Sequence, residues 1–249
     1  MTPERHNAER RAGVIAAGQG ERLRKGVDNL KPLVAIAGRP LVERVLTSIA
    51  ETAPAEVAII VNEASTAVRE RVEQRDWPFL RRWIVETTPS SMHSFLRVVE
   101  TLARDGHPGP FLLSTVDTVA TSGMYRRFAA AAAALDADVV LAVNRPGDDE
   151  KPLLVRRGAD GFITAIGSEV ANDGADDVYA TAGFYMVRAS VLREAAAARR
   201  EQLTALRLFL ARLLACGLRI AAVPVAQSID VDHPEDVAAA ERFLAEVRS

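Results

Sequence analysis

Four residues near the N-terminus have the types and spacing of a phosphate-binding turn. The apolar segment 13–17 has the length of a buried strand, and Gly18, Gly20 and Arg22 follow it directly, with Lys31 further along the chain. Glycines let backbone N–H groups approach an anion closely, and nearby cations complement its charge. We therefore expect a phosphate group at this turn.

Neither of the two common nucleotide-binding motifs fits the turn. A dinucleotide-binding G-x-G-x-x-G sequence needs a third glycine where the chain has Leu23, and a P-loop needs Gly-Lys-Ser/Thr where Gly20 is followed by Glu21 and Arg22. The missing glycine disfavours a nicotinamide-dependent oxidoreductase, which is one alternative class. A nucleotide-binding module without catalytic activity is the other.

Aspartates follow two later apolar segments. Asp117 ends the strand predicted in GPFLLSTVD, and Asp230 and Asp232 lie two residues apart in SIDVDHPED. Residues i and i+2 of an extended segment share one face. Ligands of open α/β sheets bind at the carboxyl ends of the strands, so these positions are candidates for a site. The alternative is that the aspartates cap, or lie at the start of, the helices that follow them.

The segment AAGQGERL…LKPLVAIAGRPLV resembles the signature of the nucleotidyltransferases that make nucleoside diphosphate sugars and related compounds. This group includes sugar-1-phosphate nucleotidyltransferases, cytidylyltransferases and molybdopterin guanylyltransferase-like proteins. The resemblance implies that an acceptor phosphate attacks the α-phosphorus of a nucleoside triphosphate and releases pyrophosphate. It also implies that Arg22 and Lys31 bind the triphosphate.

The same resemblance implies a Mg²⁺ site. Two aspartates of the family bind the metal, and the matching residues are Asp117 and Asp232, the latter directly before His-Pro-Glu-Asp. Asp230 would then contact the metal-binding residues and not the metal itself. Which of Asp230 and Asp232 is the second metal ligand stays open. Mg²⁺ is typically held by one or two carboxylates together with substrate phosphates, which agrees with this assignment. The predicted catalytic residues are Arg22, Lys31 and Asp117.

Further residues are predicted to bind the two substrates. Polar residues after the third strand match the family's contacts to the base or ribose, although they could equally cap the next helix. A later strand resembles the one that lines the acceptor pocket in sugar-nucleotide members, which favours a sugar or polyol phosphate over molybdopterin; a purely structural strand pair is the alternative. The predicted nucleotide-binding residues are Ala16, Ala17, Gly18, Gly20, Arg22, Lys31, Thr88, Ser91 and Ser94, and the predicted acceptor-binding residues are Lys151, Tyr179, Thr181 and Gly183.

The surrounding elements must position these residues at one edge of a sheet. Apolar segments of strand length alternate with segments of helical periodicity as far as residue 143, which is typical of βαβ units. Between residues 144 and 186, shorter apolar segments joined by polar turns indicate an antiparallel insertion on the acceptor side. We expect one α/β domain over residues 1–249, with residues 1–10 disordered. Its fold would be a three-layer αβα Rossmann-like arrangement with a mainly parallel sheet, of the nucleotide-diphospho-sugar transferase (GT-A-like) type.

Composition restricts the partners. The formal charge of −2 shows no basic excess, so nucleic acid is not expected as a partner. The sequence has neither an apolar signal segment nor the roughly 18 apolar residues of a membrane helix, so we expect a cytoplasmic protein. The single cysteine, Cys216, cannot form an internal disulfide, and its apolar surroundings predict a buried position.

The expected reaction explains which catalytic groups the sequence lacks. A phosphate monoester has a second pKa of about 6 and is largely dianionic at pH 7, so it needs no general base to become a nucleophile. An enzyme of this kind therefore requires no Ser-His-Asp or Cys-His set, and none is evident in the sequence. Its expected partners are a nucleoside triphosphate, a small phosphorylated acceptor and Mg²⁺.

Overall fold

A nine-stranded mixed sheet forms the centre of the computed structural model, which describes residues 10–18, 23, 30–147 and 152–247. Apart from Arg10, the segment predicted to be disordered lies outside the described residues. In chain order, the described strands are β1 (Arg11–Ala16), β2 (Ala35–Ile36), β3 (Arg39–Pro40), β4 (Glu56–Val61), β5 (Leu80–Val85), β6 (Phe111–Thr115), β7 (Thr118–Val119), β8 (Val139–Asn144), β9 (Leu154–Arg157), β10 (Ile163–Ile166), β11 (Val178–Val187), β12 (Ile220–Pro224) and β13 (Ile229–Asp230).

The strand order confirms the predicted mainly parallel sheet with an antiparallel insertion. The strands run β12-β8-β11-β6-β1-β4-β5, and β9 and β10 extend the sheet from the first half of β11. Pairing is parallel among β6, β1, β4 and β5 and between β8 and β12, and it is antiparallel wherever β9 or β11 takes part. The second half of β11 lies between β6 and β8. This strand, which the sequence assigned to the insertion, therefore also belongs to the centre of the sheet.

Helices cover both faces of the sheet and confirm the three-layer prediction. Val14 and Ile15, neighbours in β1, point to opposite faces and belong to two different core clusters. Ile15 packs with residues of α3 and α6, and Val14 packs with residues of α1, α2 and α4. The described α-helices are α1 (Leu41–Ala50), α2 (Thr66–Glu73), α3 (Ser91–Leu102), α4 (Met124–Ala133), α5 (Ala195–Arg200), α6 (Leu206–Ala215) and α7 (Pro234–Glu246).

A small separate core joins early and late segments of the chain. Leu23 and Val34 pack there with Val119 of β7, with Val231 and with Leu244 of α7. These residues are at most 8% exposed. This core therefore holds the C-terminal helix against the segment that follows β1.

The prediction that Cys216 is buried is wrong, because this residue is exposed. The buried stripe of α6 ends at Leu213, and the helix itself ends at Ala215. Gly217, with a φ of 80°, then turns the chain.

Candidate active site

A lysine lies between two carboxylates at the carboxyl edge of the sheet. The Nζ of Lys31 is 2.6 Å from Oδ2 of Asp117 and 2.5 Å from Oδ1 of Asp232. Because both oxygens contact one nitrogen, they are at most about 5 Å apart. Lys31 begins a 3-10 turn, Lys31–Leu33, and is only 8% exposed. Lys31, Asp117 and Asp232 are called the ion triad below.

The two-residue ladder between β7 and β13 positions both carboxylates. In this antiparallel pair, Thr118 lies opposite Asp230, so Asp117 precedes one strand while Asp232 follows the other. The backbone N–H of Val231 donates to the carbonyl of Asp117 at 3.1 Å and extends the pairing. Two aspartates far apart in the sequence therefore reach the same lysine.

Asp232 is also fixed from the side of α7. The carboxylate of Asp236, in the first turn of that helix, accepts the backbone N–H groups of Asp232 at 2.9 Å and of His233 at 2.7 Å. These bonds satisfy donors at the start of the helix, as a capping box does. The side chain of Asp232 is left facing Lys31 and is 46% exposed.

The ion triad stabilises the charged forms of its buried members. Burial opposes the charge of Lys31, but Asp117 and Asp232 outweigh it and raise the pKa of the ammonium. Burial likewise opposes the ionisation of Asp117, but Lys31 and a hydrogen bond from Thr115 lower the pKa of this carboxyl group. Both residues are therefore charged at neutral pH.

Asp230 lies beside the ion triad and differs from Asp232 in its contacts. Its Oδ1 accepts the hydroxyl of Thr118 at 3.1 Å. Although the residue is exposed to the cleft, the protein that surrounds it and the charge of Asp117 raise the pKa of its carboxyl group to about 7. Of the two aspartates that the sequence left as alternatives, Asp232 is the one that contacts Lys31.

One cavity, called the α3 cavity, opens on the ion triad between β1 and the start of α3. Its volume is about 500 Å³. A side chain added at Gly18 would meet no atom of the described residues within 4 Å, and Gly18 lines the cavity. The predicted nucleotide-binding residues in its wall are Ala17, Gly18, Lys31, Thr88, Ser91 and Ser94, and Asp117 and Asp232 line it as well. Ala16 is buried within β1 and does not line it.

The polar residues at the start of α3 are partly engaged by the protein itself. The hydroxyls of Thr88 and Ser94 are 2.6 Å apart, and Ser94 is 3% exposed. The hydroxyl of Ser91 accepts the backbone N–H of Leu206 at 3.0 Å. Ser90 has the N-cap position, but its side chain contacts His93 instead of the backbone of the first turn. The alternative interpretation was that these polar side chains cap α3, but the N-cap residue makes no side-chain hydrogen bond to the first turn of the helix.

A second cavity, called the α7 cavity, lies between the first half of β11 and the start of α7. Its volume is about 680 Å³, and its wall includes Thr181 and Asp232. Asp232 thus lines both cavities. Of the other predicted acceptor-binding residues, Tyr179 and Gly183 are not in the described wall. Gly20, Arg22 and Lys151 lie outside the described residues.

Arg145 is a cavity residue that the sequence reasoning missed. Its guanidinium stacks 4.9 Å from the ring centre of Tyr179 and donates to the carbonyl of Asp176 at 2.8 Å. It follows directly on the last residue of β8 and lines the α7 cavity. That position at the carboxyl end of a strand is the signal that could have identified it.

The two carboxylates of the ion triad suit Mg²⁺. The described residues contain no cluster of three or more His, Cys, Asp or Glu side chains that could hold a metal ion. Mg²⁺ does not need such a cluster, because it usually combines one or two carboxylates with phosphate oxygens and water. Asp117 and Asp232 are two carboxylates that could hold such an ion, and they face cavities of about 500 and 680 Å³.

The fold and the site define a protein of the nucleotidyltransferase class. The sequence model of one protein family, the MobA-like NTP transferase domain, matches residues 12–212 of the chain. The chain therefore belongs to this family, and the family predicted from the sequence is confirmed. Among the described helices, none has the length and apolar character needed to span a membrane.

Relatives and solved structures agree with this membership. The chain is 32% identical over 188 residues to the CMP-5'-(3-aminopropyl)phosphonate synthase of Streptomyces rubellomurinus (strain ATCC 31215), covering 74% of the chain but only 29% of that protein's length. It has the fold of the inositol-1-phosphate CTP transferase from T. maritima, with a TM-score of 0.75, 17% identity and 97% of each chain covered. UDP-glucose pyrophosphorylase, solved with UDP-glucose, gives a TM-score of 0.73 at 16% identity and covers 96% of this chain and 99% of its own.

Proposed function

We propose that the protein is a Mg²⁺-dependent nucleotidyltransferase that couples a nucleoside triphosphate to a small acceptor bearing a phosphate or phosphonate group. The acceptor class includes sugar, polyol and alcohol phosphates, and the products are an NDP-linked compound, or its phosphonate analogue, and pyrophosphate. The observation that supports this most strongly is the position of Asp232. Its carboxylate lies in the walls of both cavities and contacts the same lysine as Asp117.

The α3 cavity is proposed to bind the nucleoside triphosphate. It combines the open backbone at Gly18 with the ammonium of Lys31 and the N-terminal end of α3. Backbone N–H groups at a helix N-terminus, a glycine turn and a cation are all favourable neighbours for phosphates. Thr88 and Ser91, in the same wall, are proposed contacts for the base or ribose. Gly20 and Arg22, which complete the predicted turn, are included in this proposal.

The α7 cavity is proposed to bind the acceptor. Its phosphate or phosphonate would lie next to Asp232, where the two cavities meet, and its other end would extend along β11 past Thr181. Tyr179, Gly183 and Lys151 are proposed to contribute to the binding of the acceptor. Tyr179 would act through Arg145, which it holds by stacking.

The chemical step needs no proton transfer. An oxygen of the ionised acceptor attacks the α-phosphorus, the bond from that phosphorus to the bridging oxygen breaks, and pyrophosphate leaves with the electron pair. Lys31 would stabilise the negative charge that develops on the triphosphate, and Asp117 and Asp232 are the residues that would hold the metal. Mg²⁺, when bound, would neutralise phosphate charge and make the α-phosphorus more electrophilic.

Cytidine triphosphate is the proposed donor. The relative with 32% identity is named for a CMP-linked product. That product also carries an amine, and the charge of the α7 cavity suits such an acceptor. Its described wall has four acidic side chains, of which Asp232, Glu235 and Asp236 are counted here as anionic, and its one guanidinium, Arg145, is already paired with Asp176. The first acceptors to test are therefore alcohol phosphates, or their phosphonate analogues, that also carry an ammonium group.

A pyrophosphate-release assay tests the proposal. Each of the four common nucleoside triphosphates is combined with glucose-1-phosphate, inositol-1-phosphate, 3-aminopropylphosphonate or no acceptor, with Mg²⁺ present, and the coupled product is identified by mass spectrometry. The Asp117→Ala protein should keep its fold and lose turnover. Asp76→Ala, which removes an exposed carboxylate that is in neither described cavity wall, should keep full activity. An active, Mg²⁺-dependent Asp117→Ala protein would refute the assignment.

A further inference from the structure

A short chain of hydroxyl groups lies beneath the ion triad. The hydroxyls of Thr115 and Thr118 are 3.1 Å apart, and Thr118 donates to Oδ1 of Asp230 at 3.1 Å. Thr115 therefore donates to Thr118 in this chain, and the carbonyl oxygen of Gly183, 3.2 Å away, is the alternative acceptor for its single hydrogen. Thr118 is 2% exposed, so this chain of hydrogen bonds is largely shielded from water.

Gly183 provides the space for these side chains. A Cβ atom at this position would lie 2.0 Å from the hydroxyl of Thr118 and 3.2 Å from Oδ1 of Asp230. Its φ of 78° also favours glycine. The pairing of β11 with β8 shifts in register between Thr181 and Tyr185, so Gly183 lies at the irregularity where β11 passes the site.

The contact between Thr118 and Asp230 is also the cross-strand pair of the β7–β13 ladder. Asp117 is the residue directly before Thr118, and Asp232 is the second residue after Asp230, so this pair sets the positions of both carboxylates. A shift of one residue in this pairing would turn neighbouring side chains to the opposite face. The ladder is only two residues long, so its backbone hydrogen bonds alone give it little resistance to such a shift.

We propose that Thr118, with the space left by Gly183, is a positioning residue that fixes the register of β7 against β13 and thereby the spacing of Asp117 and Asp232. The inference rests on the proposed function, because that spacing matters for a metal–triphosphate complex. Thr118 does not line either cavity and would not contact the substrates. Its effect would reach the reaction through the two carboxylates.

Loss of the Thr118 hydroxyl should therefore lower the affinity for the metal, while the protein stays folded. We expect Thr118→Val to raise the Mg²⁺ concentration for half-maximal activity about tenfold, which is the factor for the loss of one ordinary hydrogen bond. Thr118→Ser keeps the hydroxyl and should stay close to wild type. Gly183→Ala should resemble Thr118→Val, because the added methyl group would displace that hydroxyl.

The experiment compares the wild type with Thr118→Val, Thr118→Ser and Gly183→Ala, with Thr164→Val as the matched control. Thr164→Val also removes one hydrogen bond, from the Thr164 hydroxyl to the carbonyl of Arg156. Thr164 lies on β10 and is in neither described cavity wall. Two quantities are measured: the Mg²⁺ dependence of pyrophosphate release, and the calorimetric affinity of Mn²⁺ for the complex with α,β-methylene-CTP. Thermal unfolding checks that each variant is folded.

A lower Mn²⁺ affinity in folded Thr118→Val, with Thr118→Ser and Thr164→Val unchanged, would support the inference. An unchanged Thr118→Val protein, or equal losses in Thr118→Val and Thr118→Ser, would overturn it and leave the proposed function intact. Absence of pyrophosphate release by the wild type with every donor and acceptor would overturn the proposed function and the inference with it.

Discussion

Lys31 has contacts that compete with the role predicted for it. Its ammonium is within 2.6 Å of both aspartates of the ion triad, where it neutralises carboxylates that would otherwise repel each other. A lysine held in this way cannot at the same time direct all of its charge to a triphosphate. In the proposed reaction, Asp117 and Asp232 would hold Mg²⁺, and Lys31 would contact the phosphates instead of the two carboxylates.

The first prediction concerns Lys31→Met. Without the ammonium, Asp117 and Asp232 have no cation between them, so Mn²⁺ should bind the nucleotide-free protein at least about tenfold more tightly than it binds the wild type. Turnover should fall at least about a hundredfold, because charge on the leaving pyrophosphate loses its stabilisation. Mn²⁺ titration followed by electron paramagnetic resonance measures the first effect, and pyrophosphate release measures the second.

Arg126→Met is the control for the loss of one positive charge. Arg126 is exposed on α4 and lines neither cavity, so its variant should match the wild type in both assays. If Lys31→Met bound Mn²⁺ no better than the wild type, competition between the lysine and the metal would be ruled out.

At the scale of the elements, β4 and β5 are joined at one end by a buried carboxylate. Glu56, the first residue of β4, is 6% exposed and accepts hydrogen bonds from Arg82 at 2.8 Å and Arg104 at 2.7 Å. Burial opposes its ionisation, but the two guanidinium groups outweigh burial and lower the pKa of the carboxyl group. The ionised form is therefore favoured by folding.

The second prediction is the pH dependence of this stabilisation. Because the folded pKa of Glu56 lies below the unfolded value of about 4.3, the stabilisation is present above that pH and is lost as the pH falls through the folded pKa. Glu56→Gln should lower the free energy of unfolding by about 1–3 kcal/mol at pH 7, and the difference from wild type should shrink below about pH 4. Urea denaturation at both pH values measures it. The control is Glu70→Gln on the exposed face of α2, which should leave the free energy of unfolding unchanged at both pH values. If the loss of stability in Glu56→Gln did not change with pH, the argument would be contradicted.

The elements also show which parts of the molecule the sequence predicts. Long elements such as β1 and α3 have an apolar pattern of several residues, so their types were predicted correctly. By contrast, β7 and β13 have two residues each and no periodicity, and their pairing joins distant segments. The contact of Thr118 with Asp230 therefore could not be derived from local pattern, although the aspartates themselves were recognisable by their motif.

At the scale of the whole molecule, the two cavities are built by different parts of the chain and meet at one residue. The described wall of the α3 cavity comes mainly from three segments, with residues 15, 17 and 18, residues 88–91 and 94, and residues 115–117. The described wall of the α7 cavity comes mainly from residues 144, 145, 147 and 152, residues 180 and 181, and residues near the start of α7. Asp232 belongs to both walls. Family resemblance predicted the two groups of residues separately, but it is the sheet that brings them to a common edge.

The third prediction follows from this arrangement and concerns the order of events in catalysis. Donor and acceptor would occupy separate cavities and react directly, so a ternary complex should form before any product leaves. Initial rates measured over a matrix of both substrate concentrations should give double-reciprocal lines that intersect. Without acceptor, labelled pyrophosphate should not exchange into the nucleoside triphosphate, because no nucleotidyl-enzyme is formed. Parallel lines together with such exchange would instead require a covalent intermediate on the protein. Asp232, the one side chain common to the described walls of both cavities, would then be the first candidate for the nucleophile and the first residue to substitute.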